Sequence, residues 1–144
     1  MTNQEYQAET DNKQQIFDVF EELQKMPDQS ESMLTDVYFS DFPDASSRIF
    51  RIYRELPLHY HEECDEHLYV VSGRGLFHLD GQEAKAGPGT FLRFARRQVH
   101  GFPRIDEHPF VVLSIDVPRR RPDDIVFVNP EDGDASSFMA RNNG

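Results

Sequence analysis

The chain of 144 residues has no tryptophan and one cysteine, Cys64. A single thiol excludes an internal disulfide and fits a reducing compartment. No apolar run approaches the ~20 residues that a membrane-spanning helix needs, and the opening stretch MTNQEYQAETDNKQQ is polar throughout. It offers no hydrophobic signal region, so a soluble, cytoplasmic protein is expected. Positive charge is also scarce: 15 Lys and Arg face 26 Asp and Glu, giving a net charge of −11. That balance argues against general affinity for nucleic acid or for an anionic membrane. The deficit is local, however. Residues 1–47 hold eleven acids and two bases, net −9, whereas residues 48–144 hold fifteen acids and thirteen bases, net −2.

Twelve Phe and five Tyr supply apolar bulk for one compact domain. Between Asp11 and Met26, Ile16, Phe17, Val19, Phe20 and Leu23 recur at helical spacing, with Asp18, Glu21 and Glu22 opposite and Pro27 as a stop. The spacing predicts an amphipathic helix packed on the outside of its own domain. After Asp28 the texture changes to short β-rich runs separated by Pro, Gly or Asp. Asp80-Gly81 reads as a tight hairpin turn and Gly87-Pro88-Gly89 as a second turn, while Pro103 and Pro118 close later strands. Many short strands with little helix between them predict an antiparallel sandwich or barrel. The closing stretch NPEDGDASSFMARNNG is polar and expected to fray, with Phe138 and Met139 able to dock on the body.

Three of the six histidines, His59, His61 and His67, fall within nine residues, among Glu62, Glu63, Asp65 and Glu66. In a strand, His59 and His61 share a face. Buried together they need a partner for their polar edges, which a divalent metal supplies. By the same alternation Glu66 turns inward with Leu68 and Val70, at a cost unless it is paired or metal-bound. His67 and Tyr69 turn outward. His100 is the fourth candidate, provided that its strand lies beside the one carrying His59. A mixed N/O set with room left over suits Fe(II) or Mn(II), with Ni(II) and Zn(II) as alternatives. The competing readings are a solvated, charge-rich turn and a metal-free barrel whose histidines are unused.

The pattern His59-x-His61-x4-Glu66-x6-Gly73 resembles the first cupin motif, and Pro88-Gly89 followed by His100 resembles the second. The chain is thereby identified as a member of the cupin superfamily over about Arg48 to Val117. The resemblance implies an all-β double-stranded β-helix, a jelly-roll barrel of six to eight strands, often dimeric. It implies one divalent metal inside the barrel, held by His59, His61, Glu66 and His100, and a small-molecule substrate. The expected organisation is an acidic helical extension packed on the barrel (1–32), the barrel (33–130) and a flexible tail (131–144), in a homodimer. Tyr53 stands where a glycine is usual, Ala95 and Arg97 replace the Pro and Gly of the second motif, and Arg104 replaces its Asn.

Around the metal, Arg51 and Tyr53 share the ligand face if the alternation survives Pro57, and a guanidinium there would bind a carboxylate or phosphate. Leu68 and Phe94 are expected to line the same substrate pocket. Cys64 reads as an exposed free thiol, and Arg119-Arg120-Arg121, flanked by Asp116, Asp123 and Asp124, as a local salt-bridged loop. The resemblance, rather than any one residue, implies the expected function: a metal-dependent enzyme acting on a small O-chelating substrate, a dioxygenase-type oxidoreductase. A non-catalytic sensing barrel and a metal-dependent isomerase or decarboxylase are the alternatives.

Overall fold

The computed structural model describes residues 12–143, so the first eleven residues of the acidic extension lie outside the described residues. Eight strands follow a short helix: α1 (Val19–Leu23), β1 (Leu34–Phe42), β2 (Ala45–Ile52), β3 (Leu56–Tyr60), β4 (Asp65–Leu79), β5 (Gln82–Ala86), β6 (Phe91–Phe94), β7 (His100–Val117) and β8 (Val126–Phe127). A 3-10 turn (Pro130–Asp132) and α2 (Ala135–Asn143) close the chain. None of the described helices is long and apolar enough to cross a membrane.

All strand pairings are antiparallel, in the order β1-β2-β7-β3-β8, with β4 joined to β5, β6 and β7. The result is the expected all-β jelly-roll barrel. Its long strands β4 and β7 pair with each other along their length, from Asp65↔Val117 to Leu79↔His100. The second half of β7 pairs with β2, from Ser46↔Asp116 to Ile52↔Phe110. Its first residue, His100, instead pairs with His59 of β3 and Leu79 of β4. The expected adjacency of the His59 and His100 strands is therefore a direct cross-strand pair.

Alternation along these strands builds the core. Phe50 and Ile52 of β2, Leu68 and Val70 of β4, and Phe102, Phe110 and Val112 of β7 are buried in one apolar cluster. Ile49 and Val111 point to the other face, where Met26 covers them with Val19 and Leu23 of α1. The N-terminal helix is much shorter than its apolar spacing predicted. Asp18 accepts the amides of Phe20 and Glu21 at 3.0 and 3.2 Å and so starts the helix rather than sitting inside it. Upstream, Phe17 stacks on Phe39 at 4.6 Å, and Ile16 is left 88% exposed. The polar C-terminal stretch, expected to fray, carries α2. Asp134 and Ser137 cap it reciprocally, each accepting the other's amide at 2.9 Å, and Phe138 is buried against the body.

The Asp80-Gly81 turn has positive φ at both residues, 45° and 87°, as a two-residue hairpin requires. Arg97, which replaces the glycine of the second motif, keeps a left-handed φ of 70° and donates its amide to the His61 carbonyl at 2.7 Å. An L-residue in that region costs about 1 kcal/mol, partly offset by the greater chain entropy of glycine. The R97G variant should therefore be more stable by roughly 0.5–1 kcal/mol, read as a higher urea midpoint; a lower midpoint would contradict this account.

Candidate metal centre

His59 lies in β3, His61 just beyond it, Glu66 near the start of β4, and His100 at the start of β7. All four are buried, and the three imidazole centroids lie 4.3 to 5.1 Å apart. Each ring is held through Nδ1 by a backbone carbonyl: His59 by Pro57 at 2.7 Å, His61 by Asp124 at 2.5 Å, His100 by Gln98 at 2.9 Å. A carbonyl only accepts, so Nδ1 carries the proton and Nε2 keeps its lone pair for another partner. One ring nitrogen of each histidine lies within 4.8 Å of the others.

The Glu66 carboxylate closes the set, 3.1 Å from His61 Nε2 and 3.8 Å from His100 Nε2. With a neutral His61 ring, two electron-rich atoms face each other at 3.1 Å, and only a proton or a cation reconciles them. Burial, then the neighbouring imidazoles, holds His59 well below its ordinary value, and burial pushes His100 down to about 4. Burial would raise the Glu66 carboxyl, but His61, His100 and Arg120 outweigh it and keep it ionised. Two neutral imidazoles, a third with its Nδ1 engaged, and a carboxylate are the donor types that a divalent transition metal takes, so the residues fit such an ion. The fold and the cluster together define a candidate metal site, with no identity for the metal.

The same residues line a cavity of about 20 Å³, room for roughly one water molecule, with Leu68, Phe102, Ile125 and Phe138 among its apolar walls. Of the four residues expected to line a substrate pocket, Leu68 is in this wall, and Phe94 lies behind it with its ring 3.9 Å from that of His100. Arg51 and Tyr53 are elsewhere. Arg51 donates to the carbonyls of Pro27 and Asp28 at 3.0 Å each, and the Tyr53 hydroxyl donates to Pro27 O at 2.6 Å, clasping the segment before β1. Alternation cannot be carried from His59 across the break between β2 and β3, and the β2 residues that line the cavity are Arg48 and Phe50.

Cys64 is 1% exposed, not the surface thiol expected. Burial, then Glu66 and Asp116, pushes its thiol up. It forms a buried group with Glu66 and Asp116. A protonated thiol is a poor ligand, and Asp116 is engaged by Ser114 at 3.0 Å and lies 3.7 Å from Arg48, so this group is the backing of Glu66 rather than a second centre. Asp124, also outside the expected set, positions His61 through its carbonyl. Its carboxylate caps the amides of Glu62 and Glu63 at 2.8 and 3.0 Å.

The arginine run divides. Arg119 pairs with Asp41 at 2.7 Å, and Arg121 pairs with Glu63 and Asp123 at 3.2 Å, as a salt-bridged loop should. Arg120 between them turns inward and lines the cavity. The signal was present: three consecutive residues just past a strand cannot all face the same way.

The sequence profile of the cupin domain family matches residues 53–116, the stretch that carries all four candidate ligands. Solved structures share the architecture. KdgF from Halomonas sp. is 23% identical with a TM-score of 0.59, over 67% of this chain and 90% of that one. A Klebsiella pneumoniae protein with a double-stranded β-helix domain is 19% identical with a TM-score of 0.66, over 81% of this chain and 99% of that one. Streptomyces Pac13, a nucleoside dehydratase, is 19% identical with a TM-score of 0.55, over 70% and 82%. At these identities the likeness is one of fold. No curated protein sequence matches the chain. The profile match over residues 53–116 and the shared double-stranded β-helix architecture support the cupin resemblance carried by the two motifs.

Proposed function

We propose that the protein is a metal-dependent enzyme that oxidises a small organic substrate bound through oxygen, in the manner of a dioxygenase. The observation that carries the reading is the composition of the cavity wall. Beyond the four candidate ligands, its polar side chains among the described residues are Arg48 and Arg120. Neither guanidinium exchanges a proton near neutral pH. The wall thus offers no side-chain acid or base for proton transfer, whereas a bound Fe(II) or Mn(II) supplies Lewis acidity and electron transfer. His59, His61, Glu66 and His100 would hold the metal, their Nδ1 contacts fixing the rings, and Leu68 and Phe102 would exclude water. The cavity admits little more than one water, so an organic substrate needs a wall residue to give way, and Phe138 sits on α2, which is not paired into the sheet.

The test is metal analysis of protein purified without chelator or nickel resin, beside the E66Q and H100A variants, followed by oxygen uptake with diketones and diols. The expected result is about one equivalent of iron or manganese, falling at least tenfold in the variants, with substrate-dependent uptake. Absence of bound metal, with no thermal stabilisation by Fe(II), Mn(II), Ni(II) or Zn(II), would sink the metal reading. Bound metal with ligand-induced stabilisation but no turnover would favour a sensing barrel.

A further inference from the structure

We propose that Arg120 is a substrate-recognition residue that binds a carboxylate group of the substrate in two-point fashion beside the metal centre. Arg120 is only 5% exposed, and its buried Nε has no hydrogen-bond partner among the described residues. Its ion-pair partner is Glu66, whose Oε1 lies 3.9 Å from Nε, beyond hydrogen-bond reach. A guanidinium has five N–H donors, and burying even one of them unpaired is costly.

The protein holds it there by other means. Arg120 donates its own amide to the buried Ser46 hydroxyl at 3.1 Å, and the ion pairs of Arg119 and Arg121 tie down the loop on either side. The other arginine in the wall is already committed. Arg48 NH1 bonds Asp36 Oδ2 at 3.1 Å, and its guanidinium lies 4.7 Å from the centre of the Phe50 ring. Arg120 is therefore the uncommitted cation. The buried charges give the sign of the missing partner. Of the buried charges around the cavity, Arg48 and Arg120 balance Glu66 and Asp116 when both acids are ionised, so a divalent metal there calls for an anion. A planar carboxylate matches the planar guanidinium fork and fits a narrow cavity better than a tetrahedral phosphate. An adjacent hydroxyl or keto oxygen on the same molecule would reach the metal; that second contact rests on the metal reading above, whereas the Arg120 contact does not.

The test titrates glycolate, its neutral isostere glycolamide and inorganic phosphate into Co(II)-loaded protein, followed by visible absorption. Cobalt content is measured separately. Wild type should bind glycolate saturably and far more tightly than glycolamide. R120Q should keep its cobalt and lose about 10- to 100-fold in glycolate affinity, with R120K recovering part of the loss. Unchanged glycolate binding in R120Q, equal binding of glycolamide by wild type, or binding of phosphate in preference to glycolate would each overturn the proposal. The glycolamide comparison needs no variant and holds even if R120Q fails to fold. If cobalt is not taken up, the metal reading fails separately. The Arg120 contact is then read by thermal shift on the metal-free protein, where glycolate should stabilise wild type and equal stabilisation by glycolamide overturns it.

Discussion

Substituting alanine for Gly73 should destabilise the protein by at least ~3 kcal/mol, enough to remove much of the stability of a domain this size. Gly73 has φ +83°, and a Cβ placed on it would lie 2.5 Å from Pro109 O, 2.6 Å from Glu107 O and 2.7 Å from Phe110 Cα. All three are backbone atoms of β7, so no side-chain rotation relieves the contact. β4 shifts register against β7 on either side of this residue, so the two long strands are irregular and closely apposed here. The last residue of the first motif is thus a close approach that only a glycine permits, and it carries no ligand. Gly81 is the control: its φ is +87°, but nothing lies within 4 Å of the point that an alanine methyl would occupy, so G81A should cost only about 1 kcal/mol. Urea unfolding of the two variants reads the difference directly. A G73A loss no larger than that of G81A would show that β4 and β7 can separate locally, and the steric account would be wrong.

The parts of the site legible in the sequence are those whose placement is set within one strand or one turn. Alternation turns Glu66, Leu68 and Val70 inward together, and the spacing of the two motifs brings His100 opposite His59. What could not be read depends on contacts between segments distant in sequence. Arg51 and Arg48 lie on one strand and differ only in face, and the face is fixed by β2 pairing with β7, not by counting back from His59. Cys64 is buried because Asp124, sixty residues later, pins the neighbouring turn. The predicted sixteen-residue helix shrank to five residues because Asp18 had a better use as a cap and Phe17 a better partner in Phe39. Local apolar spacing is necessary for a helix but does not say where it begins.

Acidification should weaken the metal-free barrel between pH 7 and pH 5. Burial pushes His100 down to about 4 and His59 well below its ordinary value, while both titrate near 6.5 in the unfolded chain. A base whose folded value is depressed takes up protons first in the unfolded state. Its contribution to stability is therefore complete above about pH 6.5 and is lost as pH falls toward the folded value. For His100 the loss from pH 7 to pH 5 is about 2 kcal/mol, and His59 adds to it in the same sense. Asp116 acts in the opposite direction. Burial, then Glu66, raises it to about 6, so the folded state protonates first and gains about 1 kcal/mol over the same interval. The balance is a net loss exceeding about 1 kcal/mol, measurable by urea unfolding in EDTA at the two pH values. In the H100L variant, which keeps an apolar side chain against Phe94 and Phe77, the slope should flatten by the His100 share. A bound divalent metal should steepen it, since the metal needs the same imidazoles deprotonated and adds its binding free energy only where they are. Stability that stays level or rises from pH 7 to pH 5 in EDTA would mean that the histidines already share protons in the folded barrel, and the cluster would then be a charged polar network instead of a neutral donor set waiting for an ion.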